Sequence, residues 1–204
     1  MDNIHRNEAE LEGLVLTPPA FSHENHGTAF YRFLLEVPRL SGQMDRLPIL
    51  VTAAQLPMVT VGQRLRITGQ LRSFNNRSGQ GSRLVLSVYA RTVQPPTGEA
   101  ANRIRLSGAL CKPPILRRTP LGRSICDLML AVPRRYGRAD YLPVIAWGQL
   151  AGDLSRRSVG EAVTLEGRIQ SRQYTKVTDS GPEERTAYEV SVMHLTEETE
   201  KADA

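Results

Sequence analysis

This chain repeats itself. When the 204-residue sequence is moved by 95 positions against itself, residues 7–55 align without a gap with residues 102–150. Of these 49 pairs 14 are identical, and after a three-residue insertion in the second half the alignment resumes at Val61 and Val159. The identical pairs include residues typical of turns and close packing: Gly13/Gly108, Gly27/Gly122, Pro18/Pro113, Pro19/Pro114, Pro38/Pro133 and Pro48/Pro143. The chain is therefore a tandem duplication of one structural unit.

The repeat also predicts where the domains begin and end. The two copies meet in the sequence QPPTGEAAN, where Pro95, Pro96 and Gly98 are typical of a short linker. We predict an N-terminal domain over residues 1–96, a linker over 97–101, a C-terminal domain over 102–196 and a short acidic tail over 197–204. Each copy has roughly 95 residues, which is enough for a hydrophobic core of its own.

Each copy reads as a series of short strands. In the second copy, apolar residues alternate over 103–110 and 125–132, and further strand-like segments cover 141–147, 162–172 and 186–194. The only helix-like piece is QLAGDLSRRSV between the third and fourth strands, where the first copy has a proline, Pro57. Five strands with one short helix after the third describe an OB-fold. We therefore predict an all-β protein of two tandem OB-folds, five-stranded Greek-key barrels with at most one short helix each.

The third strand of the second copy carries the only tryptophan of the chain. In YLPVIAW, alternation places Leu142, Val144 and Ala146 on one face, and the other face begins with Tyr141 and ends with Trp147. Those two rings are about 20 Å apart at the rise of an extended strand. They could be packed in the core, where tryptophan is usually found, or held outward for flat ligands to stack on.

The second copy resembles the bacterial single-stranded DNA-binding protein family over nearly its whole length. Six blocks carry the resemblance, in the order and spacing of the family: NRIRLSG, RRTPLG, LAVPRR, YLPVIAWGQLA, LEGRIQSRQY and YEVSV. The first copy matches only through the repeat. The resemblance implies binding of single-stranded DNA, without strong sequence preference, in an OB groove with aromatic platforms.

The resemblance also implies which residues bind DNA. The platform positions of the family fall on Tyr136, Tyr141, Trp147 and Tyr174, and stacking on such rings needs no sequence readout because every base has a π-face. Nearby cations are expected to hold the phosphates: Arg103, Arg118, Arg134, Arg135, Arg168, Arg172 and Lys176. Of the 26 basic residues 23 are arginines, which bind phosphate in a bidentate fork, although a GC-rich genome would give the same bias.

The first copy lacks these platforms. Ser41, Arg46 and Thr52 stand where the second copy has Tyr136, Tyr141 and Trp147, and the position of Tyr174 falls near Asn76. We therefore predict that the N-terminal OB-fold is diverged and binds DNA more weakly. Arg46, Arg66 and Arg72 could still hold phosphates there.

Other classes of function find little support in the sequence. His23 and His26 form an HxxH pair without accompanying ligands, so we expect no metal and no other cofactor. No nucleophile–base arrangement is visible, and we expect the protein not to be an enzyme. Cys111 and Cys126 lie in apolar segments and are expected to be buried free thiols, as in a reducing cytoplasm. No apolar run is long enough to span a membrane, and we expect a cytoplasmic, nucleoid-associated protein.

The predicted role is to coat and protect single-stranded DNA during DNA replication, recombination or repair. The family presents four OB-folds per particle, so two per chain imply a homodimer, which we expect to pair around residues 8–16 and 103–111. The acidic end TEETEKADA lacks the apolar tip with which the family recruits replication and repair proteins, so such partners are less expected. Two alternatives remain: a primosome or mobile-element accessory protein acting through protein contacts, and an RNA-binding OB module.

Overall fold

The computed structural model describes residues 6–76, 82–179 and 181–196. Within these ranges the chain forms strands and short helical segments in the same order in both halves. The strands of the first half are β1 (Asn7–Val15), β2 (Ala20–Asn25), β3 (Thr28–Pro38), β4 (Met44–Thr52), β5 (Arg64–Asn75) and β6 (Leu84–Gln94). Those of the second half are β7 (Asn102–Leu110), β8 (Ile115–Arg118), β9 (Ser124–Pro133), β10 (Ala139–Trp147), β11 (Ala162–Thr178) and β12 (Gly181–Leu195).

Two compact units contain these strands. Among the described residues, the first unit consists of those within Glu8–Arg103 and Ile169–Glu189. The second consists of Arg6, Asn7, Ile104–Arg168 and residues 190–196. The outer part of the β11–β12 hairpin thus groups with the first unit, although the sequence of that hairpin comes from the second copy.

The first copy closes into a five-stranded barrel. Its strands follow the order β3-β4-β6-β5-β1, and β1 pairs again with β3 to complete the ring. All of these pairings are antiparallel except β4 with β6, which is parallel. Five strands closed in this way form the Greek-key barrel of an OB-fold.

The second copy closes in the same way. Its strands follow the order β7-β11-β12-β10-β9, β7 pairs again with β9, and β10 with β12 is the parallel pair. The register repeats as well: Leu14 lies opposite Glu36 in the first barrel, and its counterpart Ala109 lies opposite Ala131 in the second. The predicted all-β fold of two OB barrels is confirmed.

One strand per copy was missed by the sequence pattern. β2 and β8 each attach to the outer edge of a barrel strand, β3 and β9 respectively. Every residue of these short strands is exposed. They show no apolar alternation because neither of their faces covers the core, so the backbone pairing alone makes them strands.

The helical segments are short, as expected. The first copy has a 3₁₀ helix over Ala53–Met58 that contains Pro57, and the second has an α-helix, α1, over Gly148–Ser155. In α1 only Ala151 and Leu154 are buried. A further 3₁₀ turn covers Arg135–Gly137.

The cores are built from the inward faces of the barrel strands. Their largest members, all with essentially no exposed surface, are Leu11, Phe33, Leu35, Leu47, Ile49, Ile67 and Leu71 in the first copy and Ile104, Leu106, Leu110, Leu130 and Leu142 in the second. Burying such a side chain stabilises the folded state by about 1.5–3 kcal/mol. On the other face of β10 from Leu142 and Val144, Tyr141 and Trp147 are exposed at the two ends, whereas Ile145 between them is buried.

The β11–β12 hairpin is longer than the sequence predicted. β11 runs to Thr178 and β12 begins at Gly181, beyond the predicted limits of 172 and 186. Within the first unit, the hairpin is held at Ser171: its backbone N–H and its hydroxyl donate to the buried carboxylate of Asp45, and Arg39 donates to the Ser171 carbonyl. The extension has a mostly polar sequence, which is why alternation did not reveal it.

The predicted linker is held against β1. The wholly buried carboxylate of Glu12 accepts hydrogen bonds from the backbone N–H groups of Thr97 and Gly98 and from the Thr97 hydroxyl. The N–H of Glu12 in turn donates to the carbonyl of Ala101. These bonds fix residues 97–101 as an ordered strap of the first unit.

No helix in the described part of the chain is long and apolar enough to cross a membrane.

Candidate nucleic-acid interface

The outer face of β9 and β10 presents two aromatic rings. Tyr141 and Trp147 have 47% and 39% of their surface exposed, whereas the intervening Leu142, Val144 and Ala146 are buried on the other face. Trp147 is therefore not a core residue. The two rings stand on one rigid strand and point away from the barrel.

Between the two rings lies a mainly apolar floor. Pro143 is opposite Met129, and Ile145 is opposite Asp127. Residues directly opposite in an antiparallel pair share a face, so this surface runs from Tyr141 to Trp147 without a buried charge. We call it the ring face, and it comprises Tyr141, Pro143, Ile145 and Trp147 with Ala131, Met129, Asp127 and Ile125.

A tight turn places a third ring at the end of this strand pair. Tyr136 lies in the turn between β9 and β10 and is 95% exposed. Its φ of 64° is in the left-handed region, which few non-glycine residues adopt. The turn is closed by a hydrogen bond from the Arg134 N–H to the Arg138 carbonyl, 2.7 Å long. The geometry leaves the Tyr136 side chain fully in solvent.

Arg134 has a structural partner. Its Nη1 lies 3.5 Å from Oδ1 of Asp140, whose side chain has no exposed surface. The same pair recurs in the first copy, where Arg39 donates from Nε and Nη2 to both carboxylate oxygens of the buried Asp45. Those bonds to Asp45 raise the pKa of Arg39 above its ordinary value. The arginine of each VPR sequence therefore braces the turn of its barrel, a role that the sequence reading did not foresee.

Register separates the two adjacent arginines of β8. Arg117 lies opposite Ile125, in the row of Trp147, and its Nε donates to Asp127 of the ring face at 2.5 Å. Arg118 lies opposite Ser124 and is therefore on the other face of the strand. Sequence reasoning chose Arg118 and missed Arg117, because the alternation of a fully exposed strand cannot be read from its apolar residues.

Two further residues that the sequence predicted to bind DNA lie in the second unit, and one exposed residue there was not predicted. Arg135 is exposed in the turn beside Tyr136. Arg168 is half-buried on the outer face of β11, where it alternates with the buried Leu165 and Gly167. The missed residue is Met193, 47% exposed on β12. It shares a face with Ser191, which pairs with Ile145 of the ring face.

The remaining predicted residues group with the first unit. The guanidinium carbon of Arg172 lies 5.6 Å from the ring centroid of Tyr174, a cation–π arrangement, and Lys176 is exposed further along the same strand. Arg103 lies 3.8 Å from a carboxylate oxygen of Glu10. The structure thus brings Tyr136, Tyr141 and Trp147 into one unit and places Tyr174 in the other.

Some arginines expected to hold phosphates in the first copy are bound within the protein. Arg66 pairs with Glu10 and, at 3.3 Å, with Glu12, and this contact with Glu10 raises its pKa. Arg46 lies 3.6 Å from Glu36 and keeps 62% of its side chain exposed. Arg66 therefore stabilises β1 and β5 instead of offering a free cation.

The described residues contain no cluster of three or more histidine, cysteine, aspartate or glutamate side chains suited to a metal ion. Both cysteines are free, Cys126 is buried and Cys111 is only partly buried. Burial raises the pKa of both thiols, which keeps them protonated and unreactive.

Comparison with known proteins confirms the resemblance of the second copy. Residues 101–197 match the single-strand binding protein family. Single-stranded DNA-binding protein 2 of Streptococcus agalactiae serotype V is 30% identical over 82 residues, which cover 37% of this chain and 63% of that protein. The single-stranded DNA-binding protein of Thermus aquaticus is 34% identical over 111 residues, covering 52% of this chain and 41% of that protein. The chain thus spans less than two thirds of the length of these relatives.

A solved structure shares the fold over almost the whole chain. The crystal structure of wild-type single-stranded DNA binding protein from Thermus aquaticus matches 98% of this chain and 96% of its own length, with a TM-score of 0.76 and 24% sequence identity. The match covers both barrels and confirms the all-β architecture.

Proposed function

Because residues 101–197 belong to the single-strand binding protein family, we propose that this chain binds single-stranded DNA on the ring face. The observation that carries the proposal is the placement of Tyr141 and Trp147, two partly exposed rings held outward by a strand whose other face is core. Tyr136 extends the same binding surface at the turn.

Stacking is the physical basis of this binding. Bases placed on Tyr141 and Trp147 replace water on rings that a rigid strand already orients, so little side-chain freedom is lost. Pro143 and Met129 offer an apolar floor for the sugar and base edges between them. Pro143 and Met129 have no side-chain hydrogen-bonding group, and both carboxylate oxygens of Asp127 already accept from Arg117, so we expect little sequence preference.

The phosphates are held by cations at the border of the ring face. Arg135 flanks Tyr136, and Arg168 lies on the outer face of β11. Arg117 stands in the row of Trp147, but its guanidinium is paired with Asp127, so its contribution is smaller. Arg134 contributes mainly by bracing the turn through Asp140. Tyr174, Arg172 and Lys176, which belong to the first unit, are proposed as further contacts to DNA from the β11–β12 hairpin.

In the cell, this activity would coat and protect transient single strands in replication, recombination or repair. The protein would act in the cytoplasm, on the DNA of the nucleoid. It is not an enzyme in this proposal and needs no metal or other cofactor. RNA, the alternative ligand, is an outcome of the test below.

We further propose a homodimer, with four OB-folds per particle. The surfaces expected from the sequence are already used in part, since the N–H of Glu12 donates to the carbonyl of Ala101 and the N–H of Ser107 donates to that of Arg6. Dimerisation would therefore use surfaces other than these two strands. Sedimentation at micromolar concentration should give twice the chain mass of 22.6 kDa, and a stable monomer would exclude the dimer.

Titration of tryptophan fluorescence tests the function directly, because Trp147 is the only tryptophan. Poly-dT should quench its emission in a saturable way, since stacking on a base opens a non-radiative path. A matched oligo-U competitor should displace poly-dT only weakly. Saturable binding without any change in emission would remove Trp147 from the interface, and tighter binding of oligo-U would identify RNA as the ligand.

A further inference from the structure

The first copy lacks rings at the positions of Tyr136, Tyr141 and Trp147, but aromatic side chains occupy other positions of its outer face. Three aromatic residues of the first unit, His23, Phe30 and Tyr89, stand close together on the outer face of β2, β3, β4 and β6. We call them the aromatic cluster. The residues at the same register positions in the second copy are Arg117, Ile125 and Ser191, none of which is aromatic.

Phe30 takes over the place of the tryptophan ring. It lies directly opposite Thr52, just as Ile125 lies opposite Trp147 in the second copy. The bulky ring and the smaller residue have thus changed strands between the copies. Because opposite residues share a face, Phe30 points to the same side of its barrel as Trp147 does of its own.

A β-bulge brings the second ring to this face. In β2, Phe21 pairs with Tyr31, but the register shifts after it, and His23 pairs with Phe30. The second copy has no such shift, so Arg118, the sequence counterpart of His23, lies opposite Ser124. Bulges commonly re-aim a side chain, and here the bulge stacks the His23 ring on Phe30, with centroids 4.8 Å apart and an interplanar angle of 11°.

The third ring comes from the parallel neighbour of β4. Tyr89 pairs with Leu50, and its ring centroid is 6.1 Å from that of Phe30. Arg32 also lies opposite Leu50 and is exposed. A cation therefore stands on the same face as the three rings, two residues from Phe30.

We propose that the aromatic cluster binds bases of single-stranded DNA, with Arg32 holding an adjacent phosphate, so that the first unit carries a second binding site. The core does not need these rings, because Phe33 and Leu35 already fill it from the other face of β3. His23 is exposed and lies on the half-buried Phe30, so a base can stack on the face of His23 that is turned away from Phe30, with its phosphate near the cation. The inference rests on the proposed function for the ligand class, and it replaces the expectation of a weak first groove.

A transplanted tryptophan tests this site in the full chain. The double variant Trp147→Phe, Phe30→Trp has a single tryptophan in the aromatic cluster and keeps a ring on the ring face. Saturating oligo-dT should quench its emission. If oligo-dT quenches Trp147 in the parent chain but leaves the emission of the double variant unchanged, the inference is overturned and the proposed function stands. If oligo-dT quenches the double variant but not Trp147 of the parent chain, the ring-face proposal is wrong.

Alanine variants give a second, independent measurement. In a Trp147→Ala background, Phe30→Ala should weaken oligo-dT binding about 5- to 150-fold, the range expected for loss of one stacking ring. Phe21→Ala is the matched control: Phe21 is an exposed ring of the neighbouring strand β2, but it packs on Tyr31, 5.9 Å away, on the other face. Unchanged affinity in Phe30→Ala, or an equal loss in Phe21→Ala, would contradict a binding site at the cluster.

Discussion

Trp147 is fixed at the end of a strand and keeps part of its ring in solvent. It is the last residue of β10, and Gly148 follows with a φ of 60°, which turns the chain sharply into α1. The indole lies beside the buried Ile125 but keeps 39% of its surface exposed. The ring is therefore oriented by the strand end and still open to a ligand.

We expect Trp147→Ala to weaken binding of single-stranded DNA by about 1–3 kcal/mol, because one stacking platform is lost. Trp147→Phe keeps a ring and should recover most of the affinity. Both variants should keep a cooperative thermal transition near that of the parent, since the indole is outside the core. Fluorescence anisotropy with labelled oligo-dT measures the affinity, and an unchanged dissociation constant in Trp147→Ala would contradict the assignment.

At the scale of the elements, the barrels depend on glycines where two strands approach closely. A Cβ added at Gly167 would lie 2.3 Å from the carbonyl oxygen of Ser191, and one added at its counterpart Gly69 would lie 2.0 Å from that of Tyr89. These glycines recur in both copies because the crossing of β5 with β6, and of β11 with β12, leaves no room for a side chain. No turn conformation is involved.

We therefore expect Gly167→Ala to lower the free energy of unfolding by about 1–3 kcal/mol, as overpacking does in a tightly packed interior. Gly152→Ala is the matched control, because that glycine lies within α1 and a Cβ there would meet nothing within 4 Å. It should raise the free energy of unfolding by about 0.5–1 kcal/mol. Urea unfolding followed by circular dichroism measures both, and a tolerated Gly167→Ala would show that the strands can separate at little cost.

The Glu12 strap gives the first unit a dependence on pH. Burial alone would raise the pKa of this carboxyl, but hydrogen bonds from Thr97 and Gly98 and from Arg66 outweigh it, so the pKa lies below its ordinary value of 4.5. A depressed folded pKa means that the ionised form stabilises the folded state. This stabilisation is fully present above about pH 4.5 and is lost as pH falls through the folded pKa.

Glu12→Gln should remove that dependence. The parent chain should lose stability more steeply than the variant as pH falls below about 4.5, while the variant should be less stable at pH 7 because its amide is a poorer acceptor for the strap. Urea unfolding between pH 3 and pH 7 gives both curves. Parallel curves for the two proteins would show that Glu12 carries no linked proton.

At the scale of the whole molecule, the number of unpaired cations on the binding surface determines how strongly the proposed binding depends on salt. The chain has 26 basic and 21 acidic residues, and several arginines are paired with carboxylates, Arg39 and Arg66 among them. The number of basic residues therefore overstates the number of cations available to DNA. The slope of the salt dependence measures how many cations contact phosphates.

We expect the logarithm of the affinity to fall linearly with the logarithm of salt concentration, with a slope of about −0.7 for each phosphate contact. Arg135→Ala should reduce the steepness by about 0.7 and weaken binding equally for all sequences. Arg156→Ala is the control, because Arg156 is exposed in the same unit but pairs with Asp153 at 2.6 Å beyond the ring face. An equal change of slope in both variants would remove Arg135 from the phosphate path.

Much of the fold could be predicted because the signals are local and repeated. Alternation at a period of two residues predicted which side chains of β10 point inward and which point outward. The duplication predicted the same succession of strands along the chain in both copies. The choice of Tyr141 and Trp147 as outward rings followed from that period. β2 and β8, by contrast, have no buried face, so no alternation marks them.

The sequence by itself determined the two barrels and the side of the strand on which Trp147 stands, because a strand with one buried face has an apolar residue at every second position. Only the tertiary structure decided which arginines are bound internally, that Arg117 and not Arg118 shares the row of Trp147, and that a bulge turns His23 onto Phe30. Those outcomes depend on the register between paired strands and on the geometry of turns, which the residue pattern of a single strand does not fix. One residue of shift moves a side chain to the opposite face.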